Sequence, residues 1–199
     1  MILKYNFAKI KKMQEKIDIL TFPLSISRHH LVFLAISLFS FFVPFLLGHP
    51  QWLVGSIVNC SLILAAIFLS EKFFLPLSIL PSIAVLLRGL IFGPFTYFLI
   101  YFLPFIWLAN ILLIFVFRFF YNQIKINFYF FKFFISLFFS AFLKFLVLTT
   151  IARLYFNFHL VPAIFLQLMG INQFITAFSG GIFAFLILYI YYGYKKTHK

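Results

Sequence analysis

Lys144 is the residue whose type and position most clearly indicate chemistry in this sequence. It interrupts an apolar run over residues 128–150, FYFFKFFISLFFSAFLKFLVLTT. A cation inside a membrane span costs a few kcal/mol, which makes it a functional candidate. No acidic residue follows Glu71, so an amine facing a helix bundle needs carbonyl groups, water or an anionic ligand. The alternative is a lysine about six residues, ~9 Å, from its helix end that extends its amine to the headgroups.

Five more polar residues join this lysine as candidates for solute binding. Arg88 and Arg153 follow apolar stretches on what the charge pattern predicts is the same outer side, where they add to a basic mouth that favours an anion. Binding of lipid phosphate is the alternative for both. Asn59, Asn110 and Gln173 lie in or beside apolar stretches, and a buried amide in lipid has to be hydrogen-bonded. Their partners are either neighbouring helices or a ligand.

Small and polar residues share one helical face in two of the apolar stretches. Such faces let helix backbones approach closely, so helix packing is the first expectation for them. The residues are Gln51, Gly55, Ser56 and Asn59 in one stretch, and Gln173, Thr176, Gly180 and Ala184 in the other.

Metal, cofactor and catalytic chemistry have little support in the sequence. Cys60 is the only cysteine, which excludes an intramolecular disulfide and a cysteine-held iron–sulfur cluster. The histidines are adjacent or isolated, so they do not form a metal-ligand set. No HExxH, GxSxG or phosphate-cradling glycine loop occurs. We therefore expect no metal, no cofactor and no enzymatic activity.

The composition indicates that lipid is the solvent around most of this chain. It is 65% hydrophobic and 10% charged, with 35 Phe and a mean hydropathy of +1.13, whereas a soluble domain is about half apolar and a quarter charged. The formal charge of +13 does not point to nucleic acid, because the Lys and Arg residues lie between apolar runs rather than on one polar surface. An all-α, multi-pass membrane protein is predicted.

The apolar stretches predict about six transmembrane helices. The third is short and contains Pro76 and Pro81, which predicts a kink. The long stretch of residues 90–117 is interrupted by prolines, so we expect its first part to be a loop or re-entrant piece, with the helix starting at about Phe98 or Pro104. The other predicted helices cover residues 31–47, 52–69, 73–87, 128–150 and 173–194.

Charge placement predicts that both termini are cytoplasmic, because cytoplasmic loops collect Lys and Arg. With the N-terminus inside and six crossings, only Arg88 and Arg153 lie outside, and Lys144 lies within a span. The other thirteen of the sixteen basic residues are then inside. They are Lys4, Lys9, Lys11, Lys12, Lys16, Arg28, Lys72, Arg118, Lys125, Lys132, Lys195, Lys196 and Lys199.

Three segments follow from this topology. Residues 1–27 are basic and amphipathic, which favours a helix on the inner membrane surface, with a solvated basic tail as the alternative. Residues 28–194 form the transmembrane domain. Residues 195–199 form a basic cytoplasmic tail. The predicted location is the inner (cytoplasmic) membrane.

The pattern of six helices with a basic N-terminal segment and polar outer loops resembles the substrate-capture (S) components of energy-coupling-factor transporters. The runs QWLVGSIVNCSLILAA, LPLSILPSIAVLLRGL, LPFIWLANILLIFVF and FSAFLKFLVL look like a family of small bacterial membrane proteins with that fold. Related sequences are sometimes labelled iron hydrogenase, a label that one cysteine does not support. The first helix carries Ala35 alone instead of the Ala-x-x-x-Ala pattern that many S components use for docking.

The resemblance implies a subunit that captures a small-molecule solute near the outer face and associates with a transmembrane coupling subunit and two ATPases. It implies a site near Trp52, Asn59, Arg88 and Asn110, together with Lys144, Arg153 and Gln173. A solute-binding subunit predicts a cavity that opens outward and is lined by Asn59, Lys144 and Gln173. A membrane scaffold, assembly factor or lipid-binding protein predicts a solid core with its polar residues in helix contacts. An intramembrane enzyme needs at least two convergent ionisable groups.

Overall fold

The described part of the chain is built from helices alone. A computed structural model describes residues 26–47, 49–92, 96–125 and 128–197, and no strand occurs within these ranges. Six long helices are joined by short connections, with a 3-10 helix, Glu71–Phe73, before the third and a short helix before the last. The helices are α1 Ile26–Leu46, α2 Gln51–Phe68, α3 Phe74–Phe92, α4 Thr96–Gln123, α5 Tyr129–Asn157, α6 Ile164–Leu168 and α7 Ile171–Thr197.

Six segments of the described chain are long and apolar enough to cross a membrane, which confirms the predicted number of spans. The side chains on the outside of the bundle are also apolar, including Leu38, Phe39, Leu108, Phe138 and Leu186. Water would not tolerate so much exposed hydrocarbon, whereas lipid matches it. The chain has the architecture of a multi-pass membrane protein.

The helices alternate in direction, so the bundle has two ends. Leu46, Gln51 and Ile171 lie at one of them, which we call the Gln51 end. At this end the Arg88 guanidinium of α3 donates to the carbonyl of Leu46 at 2.8 Å. At the other, the Gln123 end, Arg118 of α4 donates to the carbonyl of Leu69 at 2.8 Å. Both arginines satisfy carbonyls that the end of a helix leaves without an intrahelical partner.

The predicted start of the fourth helix at about Phe98 is close to the observed one, and the alternative start at Pro104 is wrong, because α4 begins at Thr96. Helix α3 continues to Phe92, so a loop or re-entrant piece over residues 90–92 is also wrong. A proline inside a helix removes one backbone hydrogen bond, but Pro104 is exposed on the outside of α4 and the apolar run continues on both sides of it. Both α3 and α4 are therefore long helices that contain a proline, Pro81 in α3 and Pro104 in α4.

Helix α5 is longer than predicted, which moves Lys144 deeper into the bundle. It runs to Asn157 rather than residue 150, so Lys144 lies thirteen residues, ~20 Å of helix, before its end. Backbone bonds from His159 to the Phe156 carbonyl and from Leu160 to the Tyr155 carbonyl, both 2.9 Å, close the helix. His159 has φ 56°, the left-handed conformation of a Schellman cap. The predicted helix was too short because the polar residues Arg153 and Asn157 were assigned to the segment after it, whereas both belong to the helix.

The predicted terminal segments are only partly covered. The surface segment of residues 1–27 lies outside the described residues except for its last two, which begin α1. At the other terminus α7 continues to Thr197, so the helix includes most of the predicted tail 195–199. Lysines favour a helix C-terminus because they are good helix formers and complement the helix dipole.

Helix α2 is the centre of the bundle. Half of its span is buried, against 17% for α1, the most exposed of the six spans. Its closest neighbour is α7, and the contact depends on glycine: a Cβ at Gly180 would collide with the Ser56 carbonyl oxygen and would lie 2.7 Å from the Cys60 nitrogen. The small-residue faces predicted for packing do meet here. This close approach also sets the position of Asn59.

Gly180→Ala is expected to destabilise the fold by about 1 to 3 kcal/mol, because the new methyl group meets rigid backbone and forces α2 and α7 apart. The matched control is Gly55→Ala on the same α2–α7 contact, whose methyl group comes no closer than 3.0 Å to the Thr176 side chain. Thermal unfolding of the purified protein in detergent should therefore give a lower midpoint for Gly180→Ala than for Gly55→Ala. Equal midpoints would contradict the close approach of α2 and α7 at Gly180.

Candidate functional site

The amine of Lys144 lies at the centre of the bundle, where it joins three helices. Lys144 of α5 is 3% exposed. Its Nζ donates to Oδ1 of Asn59 on α2 at 2.7 Å and to Oδ1 of Asn110 on α4 at 2.7 Å. Both amides are 2% exposed. The lysine therefore points into the bundle and does not extend to the headgroups, which rules out the alternative interpretation of its position.

Further hydrogen bonds hold the two amides in the orientation that this contact requires. Asn110 Nδ2 donates to the Ser78 carbonyl of α3 at 3.0 Å. Asn59 Nδ2 donates to Thr176 Oγ1 of α7 at 3.3 Å. With each amide nitrogen bonded to a neighbouring helix, each amide oxygen faces the amine. Five of the six spans thus supply a group to this polar centre, and amide dipoles solvate the cation that water solvates elsewhere.

A cavity of about 410 Å³ opens above the polar centre toward the Gln51 end. Its inner part is reached through the first turns of α2 and α7: Asn59 lies eight residues, ~12 Å of helix, below Gln51. Walls between the mouth and the polar centre are largely apolar. The lining residues include Val58, Val85, Leu99, Ile106 and Met169 on the walls, and Gln51, Trp52, Asn172 and Gln173 near the mouth. The volume is within the range of small-molecule sites.

The cavity has a positive electrostatic character. Lys144 is the one Lys, Arg, Asp or Glu among its lining residues. Glu71, the one acidic side chain in the described ranges, lies at the Gln123 end of the bundle. The N-termini of α2 and α7 also border the cavity through Gln51 and Asn172, and helix N-termini carry partial positive charge. Nothing in the lining supplies a countercharge for the lysine.

Four of the six candidate residues from the sequence meet at this cavity: Asn59, Asn110, Lys144 and Gln173 line it. Arg88 and Arg153 do not. The expected basic mouth of three cations is thus not assembled, because Arg88 turns to the carbonyls of Phe45 and Leu46. Arg153 is exposed on α5, ~13 Å of helix beyond the lysine.

Arg88→Gln is expected to destabilise the protein by about 1 kcal/mol, because a cation at the C-terminus of α1 is replaced by a neutral group. Its effect on the cavity should be small. Arg153→Gln is the control, since it removes the same charge from an exposed position at the same end of the bundle. The midpoint of thermal unfolding should fall for Arg88→Gln only; a fall for both would show that the loss comes from net charge and not from the capping contact.

Several residues of the site were not anticipated from the sequence. Trp107 Nε1 donates to Ser82 Oγ at 2.6 Å beside the cavity, and Ser78 supplies a carbonyl to the polar centre. Ser78 and Ser82 are four residues apart, so their shared helix face is visible in the sequence. Thr176 was assigned to packing alone, yet it both packs against Gly55 and accepts a bond from Asn59.

Within the described ranges, no group of three or more His, Cys, Asp or Glu residues is placed to hold a metal ion. Cys60 is free and buried in α2. The donors at the cavity are one amine, amides and hydroxyl groups, which suits hydrogen bonding to an organic ligand better than metal ligation.

Comparison with protein-family models, with curated proteins and with solved structures found no match to this chain.

Proposed function

We propose that this protein is a membrane-embedded binding subunit that captures a small anionic solute. The observation that carries the proposal is the buried Lys144 amine, held between two amide oxygens at the base of a cavity with no acidic residue in its lining. Burying an ammonium group costs several kcal/mol unless its charge is compensated. Two amide dipoles compensate part of that cost, and a bound anion would compensate the rest.

The charge distribution supports a cavity that faces outward. Described cations concentrate at the Gln123 end, where Lys72, Arg118, Lys125 and Lys132 lie. The positive-inside rule makes that end cytoplasmic, so both termini are cytoplasmic and the Gln51 end is exterior. In a bacterial inner membrane, the cavity would then collect solute from outside the cell.

A subunit of this kind needs an energy source, and the sequence contains no phosphate-cradling loop of its own. The resemblance to substrate-capture components of energy-coupling-factor transporters suggests a transmembrane coupling subunit with two ATPases as the partner. The six long helices and a cavity that opens at one end of the bundle are compatible with that proposal.

A membrane scaffold, assembly factor or lipid-binding protein is the second candidate. The observation in its favour is that Asn59 and Asn110 both bond to neighbouring helices, as purely structural amides would. A scaffold, however, has no need for a 410 Å³ cavity beside a buried cation. An enzyme would need a second ionisable group beside Lys144, and the lining offers none.

Native mass spectrometry of the full chain, released from a mild detergent, tests the proposal. The wild-type protein is expected to carry a bound small molecule, and Lys144→Met to have lost it. Lys132→Met is the matched control, because it removes a lysine from the same helix at the Gln123 end, beside Tyr121 and away from the cavity. Wild-type protein without a bound molecule that also fails to copurify with any ATPase would reject the proposal.

A further inference from the structure

The charge and lining of the cavity narrow the class of solute, if the proposed binding function holds. We infer that the ligand is a monoanion of amphipathic shape: one carboxylate that reaches Lys144, an apolar body, and a neutral polar group at the far end. The inference depends on how many charges the cavity can neutralise and on the order of polar and apolar groups from its base to its mouth.

The base of the cavity carries one cationic group, which can neutralise a single negative charge on the ligand. Lys144 is its one ionisable side chain, so a monoanion bound to the ammonium group gives a neutral complex. A dicarboxylate leaves one negative charge in a low-dielectric site, and so does a phosphate monoester, which carries about −1.5 to −2 at neutral pH. Sites built for phosphate commonly use arginine because its planar fork binds two oxygens at once; the two arginines at this end, Arg88 and Arg153, lie outside the cavity lining.

The donors at the base suit a group with two oxygens. An ammonium group has three N–H bonds, and two of those of Lys144 go to Asn59 and Asn110. The third remains for one ligand oxygen. Each amide nitrogen also has a second N–H beyond its bond to Thr176 or Ser78, so a donor is available for the other oxygen of a carboxylate.

The walls and mouth define the rest of the ligand. Between the base and the mouth the lining presents hydrocarbon from Val58, Ile106 and Met169, with no charged group. Near the mouth the amides of Gln51 and Asn172 offer neutral hydrogen-bonding groups. A volume of 410 Å³ corresponds to ~14 water molecules at about 30 Å³ each, so the ligand is a small organic acid rather than a whole lipid.

Four eight-carbon probes test the inference on the full chain in detergent, with thermal stabilisation and its concentration dependence as the readout. They are 8-hydroxyoctanoate (charge −1), suberate (−2), octyl phosphate (a phosphate monoester) and neutral 8-hydroxyoctanamide. We expect 8-hydroxyoctanoate to bind most tightly, and Lys144→Met to weaken it by about 30-fold or more. Lys132→Met should bind it as the wild type does.

The outcomes separate this inference from the proposed function. Tighter binding of suberate or octyl phosphate would overturn the inference that the ligand is a monoanion. The proposed function of binding an anionic solute would still stand. Equal binding of the amide and the carboxylate would overturn both. If Lys144→Met does not fold, Val58→Trp serves instead, since it fills the apolar wall and leaves the lysine in place; it should lower binding of 8-hydroxyoctanoate, and unchanged binding would overturn the inference. Stabilisation by none of the four probes would overturn it too.

Discussion

Asn110→Leu is expected to destabilise the protein by about 2 to 3 kcal/mol, and most of that loss should disappear when Lys144 is replaced by Met. In the wild-type protein the leucine removes an acceptor from a buried ammonium, and hydrogen bonds to charged groups are worth about 1.5 to 3 kcal/mol. In the Lys144→Met background there is no charge to solvate. The asparagine oxygen then lacks its donor, so replacing it costs little or stabilises the protein.

A double-mutant cycle measures this coupling directly. The four proteins are wild type, each single variant and the double variant, compared by thermal unfolding in the same detergent. Asn122→Leu is the matched control, because Asn122 lies on the same helix, α4, but is exposed at the Gln123 end. It should cost the same in both backgrounds.

The assigned hydrogen bond between Lys144 and Asn110 would be contradicted if Asn110→Leu were equally destabilising with and without the lysine. The amide would then act only through its bond to the Ser78 carbonyl, as a helix-packing residue. The same cycle with Asn59→Leu is expected to show coupling as well, since the two amide oxygens lie at equal distances from the amine.

The sequence predicts the architecture well because membrane spans are specified by composition over about 20 residues. The ends of the helices were harder to predict. Helix α5 continues past Thr150 because Arg153 and Asn157 are polar but helical, and a hydropathy argument cannot tell a helix leaving the membrane from a loop. Helix α4 includes Pro104 because a proline on an exposed helix face is tolerated when both sides favour helix.

The polar centre was predictable in its members but not in its geometry. Lys144, Asn59 and Asn110 stand out singly because lipid penalises each of them. That they meet depends on the α2–α7 contact at Gly180 and on the rotation of α4 and α5, which a single sequence does not specify. Arg88 was also a candidate from the sequence, as an outer-side cation beside the lysine, yet the end of α1 is close enough for its carbonyls to accept the hydrogen bonds of Arg88.

Single cysteines placed at the two ends of the bundle are expected to react with a membrane-impermeant maleimide in an all-or-none manner in intact cells. His49→Cys and Phe158→Cys, exposed at the Gln51 end, should be labelled from outside. Glu71→Cys and Gln123→Cys, exposed at the Gln123 end, should be labelled only after the membrane is opened. The reason is that Lys72, Arg118, Lys125 and Lys132 concentrate at the Gln123 end, and we expect the positive-inside rule to place that end in the cytoplasm.

The substitutions leave every lysine and arginine in place, so they do not disturb the signal that sets the orientation. Cys60 provides the internal control, because it is 6% exposed within α2 and should stay unlabelled in the wild type until the protein is denatured. Labelling of Glu71→Cys from outside would show that the bundle has the opposite orientation in the membrane. The cavity and Lys144 would then face the cytoplasm, and capture of a solute from the exterior would no longer be tenable.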